Sequence, residues 1–330
     1  MIKPKPKATA VILVNLGTPS VPTRKAVGKF LTRFLSDPRV VDAPRWFWPL
    51  LLRSVIVPLR SRKSLLAYQK IWWAEGSPLK VISVQQVETL QAELKNQFGE
   101  QAPTVVEACT YAAPSLPEQV GSLEANGIEH FIVIPLYPQY SGTTTGAVLD
   151  QLSKVMLVSQ DISEFTPVKS FYERPDYIKA LADSVRQHWQ QHGRHQKLLM
   201  SFHGIPEEYV AKGDPYAEHC EQTAQTLAEA LQLDGSQWAY SYQSRFGPKR
   251  WLQPYTEQTL RNWAADGIKK VDVISPAFTA DCLETLEELN IVNREIFLSA
   301  GGESYEYISC LNNDKKFINV LANIVKERMI

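Results

Sequence analysis

The chain carries the same strand-and-turn signature twice, and that repetition restricts its fold more than any other feature. VILVNLGTP at residues 11–19 returns as LLMSFHGIP at 198–206, and FIVIPLYP at 131–138 returns as VDVISPAF at 271–278. Between the members of each pair lie VEACTY at 106–111 and WAYSYQS at 238–244. The apolar runs have the length that a fully buried strand needs and stop at glycine or proline. Strands are therefore expected over 8–15, 104–110, 130–135, 197–203, 237–242 and 270–275, each followed by a turn signal and a helical pattern. Such alternation builds mostly parallel sheets in an α/β fold. A chain of 330 residues can bury two cores of ordinary size. The repeat is read as two related α/β halves whose strand ends surround one shared cleft. The boundary is placed near 161–169, giving an N-terminal domain over 8–164 and a C-terminal domain over 165–310. The remaining segment, 311–330, is expected to pack its helix back on the first domain.

Helix starts are well marked. Thr23 caps a pattern in which Val27, Phe30, Leu31, Phe34 and Leu35 recur at helical spacing, Ser115 and Glu118 form a capping box, and Asp214 caps before Pro215 at a first helical position. Further helical patterns cover 65–73 and 81–98, the latter with Val87, Leu90, Leu94 and Phe98 on one face.

His203 sits where the strand 197–203 leaves its sheet, and in open α/β sheets that carboxyl edge is where ligands bind. An imidazole there is a candidate base or metal ligand; the competing reading is a histidine hydrogen-bonded into a strand end. In the internal alignment Leu16 stands opposite His203, so only the second half carries this chemistry. The strand 270–275 is followed by Phe278-Thr-Ala-Asp281-Cys-Leu-Glu284. At 100° per residue Asp281, Glu284 and Glu288 fall within about a 60° arc of one helix, with Leu283, Leu286 and Leu289 pointing away. A capping box with Asp281 as N-cap accounts for two of these acids but not for Glu288. An imidazole facing a line of carboxylates can accept protons and hold a divalent metal.

With 35 basic and 35 acidic side chains the chain has no global field, and nothing asks for nucleic acid. The start, MIKPKPKATA, lacks the hydrophobic region of a signal peptide. Cys109, Cys220, Cys282 and Cys310 are scattered with no CxxC pair, against a disulfide framework or zinc site, and a reducing cytoplasm fits best. Segment 40–62 is unusual: Trp46, Phe47, Trp48, Leu50–Leu52 and 55–57 are interrupted by Pro44, Pro49 and Pro58 and by Arg45, Arg53 and Arg60. It is too broken to span a bilayer and reads as core, as a membrane-facing lip, or as the wall of a pocket for a flat apolar ligand bearing carboxylates. The hydroxyl-rich turn at 141–146 could hold an anion at a helix start, but a plain turn is the simpler reading. His188, His192 and His195 surround a helix end and receive no function. A dinucleotide oxidoreductase has little support without a GxGxxG fingerprint.

Across nearly its whole length the chain resembles the ferrochelatase family, lyases that insert ferrous iron into a porphyrin at the last step of haem synthesis. The resemblance rests on VILVNLGTP with the helix after Thr23, SDPRVVD at 36–42, GSPL at 76–79, LYPQYSGTTTG at 136–146, SFHGIP at 201–206, YQSRFGP at 242–248 and SPAFTADCLETLEEL at 275–289. It implies two similar Rossmann-like domains, chelatase-like, with a porphyrin cleft between them. His203 matches the family's essential histidine and Glu284 its essential glutamate, both as catalytic and metal-binding residues, with Asp281 and Glu288 as the supporting acidic line. Tyr111 and Phe278 match pocket positions, and Trp46, Trp48, Arg53 and Ser77 are assigned to the same porphyrin pocket. The substrates implied are protoporphyrin IX and Fe2+, with peripheral contact to the inner membrane through 40–62.

Insertion requires the ring held bent, its two central protons accepted and Fe2+ stripped of water. Carboxylates and one imidazole form a labile donor set for Fe2+, whereas thiolates would hold it. Gly142 stands where cluster-bearing members have a cysteine, so no tightly bound cofactor and no iron–sulfur cluster is expected. Cys282 stands where many members have a second histidine. The alternative from another class is a non-catalytic tetrapyrrole or metal carrier with the same cleft.

Overall fold

The computed structural model describes residues 8–44 and 46–329; Arg45 and the Lys-Pro start at 1–7 lie outside the described residues. The chain forms two compact units. One takes the chain as far as Leu136, then Gly142–Ser170 and the chain from Asn313 onward, and the other takes Tyr137–Ser141 and Phe171–Asn312.

In the first unit β1 (Thr9–Asn15), β2 (Thr104–Cys109), β3 (His130–Pro135) and β4 (Glu164–Pro167) form a parallel sheet in the order β2-β1-β3-β4. β1 is covered on both faces of the sheet, which is why its run Ala10-Val-Ile-Leu-Val14 is apolar without alternation and buried throughout. Helix Arg24–Leu35 starts at Thr23, whose hydroxyl accepts from the Ala26 N–H at 3.4 Å. Helix Pro78–Phe98 buries Ile82, Gln86, Leu90 and Leu94 along one stripe, and the C-terminal helix Lys315–Lys326 packs against it. That last helix buries Phe317, Ile318, Val320, Leu321, Ile324 and Val325, each worth roughly 1.5–3 kcal/mol of transfer free energy.

The second unit repeats the plan with β5 (Lys197–His203), β6 (Trp238–Gln243), β7 (Lys270–Ile274) and β8 (Ser304–Ile308), parallel, in the order β6-β5-β7-β8. β4 and β8 were not expected from the sequence, because each is short and half-polar, without the apolar run that marks the central strands. β4 starts at Glu164, so a boundary at 164/165 would cut a strand; the chain instead changes unit after Ser170 and again after Asn312. Both copies of the repeated turn need glycine for close approach. A Cβ on Gly17, at φ +94°, would lie 2.5 Å from the Ala112 Cβ, and one on Gly204 would lie 3.0 Å from the Gln243 carbonyl oxygen.

The histidines that received no function gather at the far end of β7 from His203. Asp272, fully buried, accepts from the Trp189 indole N–H at 2.7 Å and from the His195 N–H at 3.1 Å, and its other oxygen lies 2.9 Å from His195 Nδ1. The His188 ring lies 4.6 Å from that of His192. Burial pushes the His188 imidazole below its ordinary 6.5; His192 and His195 push the same way, while Asp272 and Glu306 oppose. A histidine lowered in the folded state holds its proton less tightly than in the unfolded chain. Its contribution is therefore complete above about pH 6.5 and is lost as the pH falls below that value. Thermal unfolding of His188→Asn between pH 7.5 and 5.5 should show a smaller acid-induced drop in Tm than the parent; an equal drop would remove His188 from the acid sensitivity.

Candidate active site

The carboxyl ends of β5, β6 and β7 converge on one edge of the second unit's sheet, the edge at which such folds bind ligands. His203 is the last residue of β5 and is half-buried. Its Nδ1 lies 2.7 Å from the Gly204 carbonyl oxygen. A carbonyl can only accept, so Nδ1 carries a proton, and in the neutral ring Nε2 presents its lone pair. The Phe278 ring stands 6.4 Å from the imidazole, centroid to centroid.

After β7 the chain turns through 275–283 and enters a π-helix over Glu284–Asn293 rather than the α-helix read from the sequence. Side-chain donors brace its carbonyls: Gln243 Nε2 donates to Glu284 O at 2.8 Å, Asn293 Nδ2 to Glu288 O at 2.9 Å and the Tyr305 hydroxyl to Leu289 O at 2.8 Å. Bonds of this kind to backbone carbonyls are what hold a widened i→i+5 winding, and such segments concentrate at functional sites. The opposite face seats Leu286 and Leu289 against a core of Leu199, Val271, Val273, Phe297 and Tyr305.

Glu284 and Glu288 share this helix, as expected, but Asp281 does not. Asp281 lies before the helix, buried, and its carboxylate accepts from the Tyr307 hydroxyl at 2.6 Å, Asn312 Nδ2 at 2.8 Å and Thr285 Oγ1 at 3.0 Å. The helical arc drawn through Asp281 and the Asp281–Glu284 capping box are both corrected. Asp281 is consumed in tying the turn to Tyr307 and Asn312, and Thr285 takes the N–H of Cys282 at 2.9 Å.

Glu288 accepts the Ser244 N–H at 2.8 Å on one oxygen and the Ser244 hydroxyl on the other. Ser244 adopts φ +68°, uncommon for a residue with a side chain, and this turns both donors onto the carboxylate. Burial pushes the Glu288 carboxyl above its ordinary range; the Ser244 bonds and the His203 imidazole pull it back, and the charge of Glu284 adds to the rise. Glu288 thus feels both His203 and Glu284 electrostatically. Gln243 and Ser244 were not singled out as site residues in the sequence. The available signal was their place at the end of the strand that pairs with β5, His203 opposite Gln243.

The remaining pocket assignments fall in the first unit. Tyr111 is buried, its N–H bonded to Leu16 O at 3.0 Å and its hydroxyl to Asp37 at 2.8 Å. Ser77 is buried and accepts from the Thr18 hydroxyl at 2.8 Å, so both residues flank the turn that follows β1. Segment 40–62 is not core: Trp46 is 85% and Leu59 71% exposed, with Phe47, Leu50 and Val55 also exposed, while Leu52 is buried. Trp48 is tethered by its indole N–H to Leu35 O at 2.7 Å, and Arg53 is exposed. No described helix is long and apolar enough to cross a membrane.

The family model described as Ferrochelatase matches residues 8–329. This chain belongs to the ferrochelatase family. The ferrochelatase of Aeromonas hydrophila is 50% identical to it over 96% of this chain and 97% of its own length, and that of Aliivibrio fischeri is 47% identical over 98% of each. Among solved structures, SirB from Bacillus subtilis with Fe3+ superposes with a TM-score of 0.53 at 13% identity, covering 97% of this chain and 94% of its own. The sirohydrochlorin chelatase SirB from Bacillus subtilis subspecies spizizenii with cobalt gives 0.52 at 10% identity, with the same coverage. These likenesses establish a chelatase fold for this ferrochelatase-family chain.

Proposed function

We propose that His203 and Glu284 carry out the reaction of this ferrochelatase-family chain, the insertion of Fe2+ into protoporphyrin IX to give protohaem with release of two protons. The observation that supports this best is the imidazole at the end of β5, its Nδ1 tied to the Gly204 carbonyl, standing beside Phe278 and acting electrostatically on Glu288 of the π-helix. The Nε2 lone pair serves one partner at a time, a pyrrole proton or the incoming metal. Glu284, whose backbone is held by Gln243, offers an oxygen donor to Fe2+, a labile ligand that lets the metal pass on to the ring. Glu288, gripped by Ser244, is the second acid of the same helix, and Asp281 holds the turn in place. Phe278, beside His203 in the second unit, is assigned to porphyrin binding, as are Tyr111, Ser77, Trp46, Trp48 and Arg53 of the first unit, with Arg53 serving a propionate. The direct test is metal insertion by His203 and Glu284 variants.

The exposed side chains of 40–62 serve as an apolar lip that receives the porphyrin and makes peripheral contact with a membrane surface. Trp46→Ala combined with Trp48→Ala should raise the porphyrin KM by roughly tenfold and reduce cosedimentation with anionic vesicles. Trp46→Ala alone should leave Tm nearly unchanged, because the side chain is 85% exposed. Unchanged KM and vesicle binding in the double variant would contradict the lip.

The enzyme works without an iron–sulfur cluster, since insertion moves protons and a metal but no electrons. All four cysteines are buried, and burial pushes the Cys109 thiol up to about 11 and also raises Cys220, Cys282 and Cys310, so each is held as a thiol. Cys310→Ser should leave activity and iron content unchanged; stoichiometric inorganic sulfide in anaerobically purified protein would overturn this.

A further inference from the structure

Behind the edge that carries His203 lies a chain of buried polar side chains that the reaction itself does not use. Gln243, the last residue of β6, is buried and contacts two other elements through opposite ends of one amide. Its Oε1 accepts from the Ser201 hydroxyl at 2.7 Å, two residues before His203 on β5. Its Nε2 donates to the carbonyl of Glu284 at 2.8 Å, at the first residue of the π-helix. Its own carbonyl accepts the Gly204 N–H at 2.8 Å, fixing the peptide that follows His203. The Gly204 carbonyl is in turn the acceptor that sets the His203 tautomer.

The far end of the network is equally fixed. Ser201 Oγ and Ser241 Oγ each bond Thr256 Oγ1, at 2.8 and 2.9 Å, and the Ser275 hydroxyl donates to Ser201 O at 2.6 Å. The amide has one orientation, because reversing it would set its oxygen against the Glu284 carbonyl, acceptor against acceptor, whereas the Ser201 hydroxyl can serve either end. Gln243 therefore behaves as a rigid strut whose length sets the separation between the strand end bearing His203 and the helix turn bearing Glu284.

We propose that Gln243 is a positioning residue for metal insertion, a single buried amide that fixes the His203 strand end and the Glu284 helix turn relative to each other. This rests on the assignment of His203 and Glu284 as the reacting pair. Reactions that depend on placed groups lose about a hundredfold for a displacement on the order of 1 Å. Substrate burial depends much less on such a displacement, so the effect belongs in kcat rather than in KM.

The test compares Gln243→Met, Gln243→Glu and Ser241→Ala in the full chain, reading anaerobic Zn2+ insertion into protoporphyrin together with Tm. Ser241 lies on the same hydroxyl chain but does not touch Glu284. Gln243→Met should lower kcat by about ten- to a hundredfold with porphyrin KM within about twofold, while Ser241→Ala keeps kcat within about twofold at a comparable loss of Tm. Gln243→Glu keeps the acceptor for Ser201 and can donate to Glu284 O only when protonated. Its kcat relative to the parent should therefore rise as the pH is lowered through the range of about 8 to 6, where a buried carboxyl titrates. That ratio decides the matter if Gln243→Met does not fold. A parent-like kcat in Gln243→Met, a flat pH ratio in Gln243→Glu, or an equal loss of kcat in Ser241→Ala would overturn the proposal. If His203→Ala is inactive while the Gln243 variants are parent-like, only the strut fails; if His203→Ala turns over normally, the assignment beneath it fails.

Discussion

His203→Ala should lower the rate of metal insertion by about 10²–10⁴-fold, the contribution typical of a placed proton acceptor, equivalent to roughly 3–5 kcal/mol of transition-state stabilisation. Porphyrin binding should persist, since one half-buried imidazole contributes little of the contact that a flat apolar ring makes. The fold should also persist. The hydrogen bond lost is a local one, from Nδ1 to the neighbouring Gly204 carbonyl, and the strand remains held by its pairing with β6 and β7. Porphyrin titration by fluorescence and insertion by absorbance, on the same preparation, separate the two effects. Turnover near that of the parent would remove His203 from the reaction.

The second large effect is expected at the acidic helix. Glu284→Gln should lose about a hundredfold or more in kcat, while Glu287→Gln should stay within about threefold. The two carboxylates differ by three residues, which leaves Glu287 off the line that joins Glu284 to Glu288, and the wider π winding turns it further from that line. Both substitutions remove one negative charge from the same helix, so a general electrostatic effect on Fe2+ uptake would lower both rates alike. Equal losses would mean that helix charge matters and the placement of one carboxylate does not.

The α/β architecture was legible because its central strands announce themselves. β1, β3, β5 and β7 are predominantly apolar runs of the kind that a strand covered on both faces requires, and the turn glycines after β1 and β5 mark close approaches that side chains would block. β4 and β8 were illegible because Glu164–Pro167 and Ser304–Ile308 are short and interrupted by polar residues, so they read like loops. His203 could be placed at a strand end from sequence alone. The helix after β7 was misjudged because the leucine spacing of ETLEEL suits an α-helix, whereas two of the donors that brace its carbonyls, Gln243 and Tyr305, come from other elements. Asp281 was misplaced for the same reason, since its partners Tyr307 and Asn312 lie more than twenty residues downstream. Contacts between segments distant in the chain leave no periodic trace in either one.

The central claim is that the second unit's sheet edge performs turnover rather than storage. The measurement that addresses it most directly is anaerobic insertion of Fe2+ or Zn2+ into protoporphyrin, followed by absorbance with proton release recorded in parallel, for the parent chain and for His203→Ala and Glu284→Gln. The account predicts many turnovers per protein with two protons released per metal in the parent, and little or no insertion in either variant. Stoichiometric uptake of porphyrin or metal without turnover in the parent, or turnover indifferent to both substitutions, would contradict it.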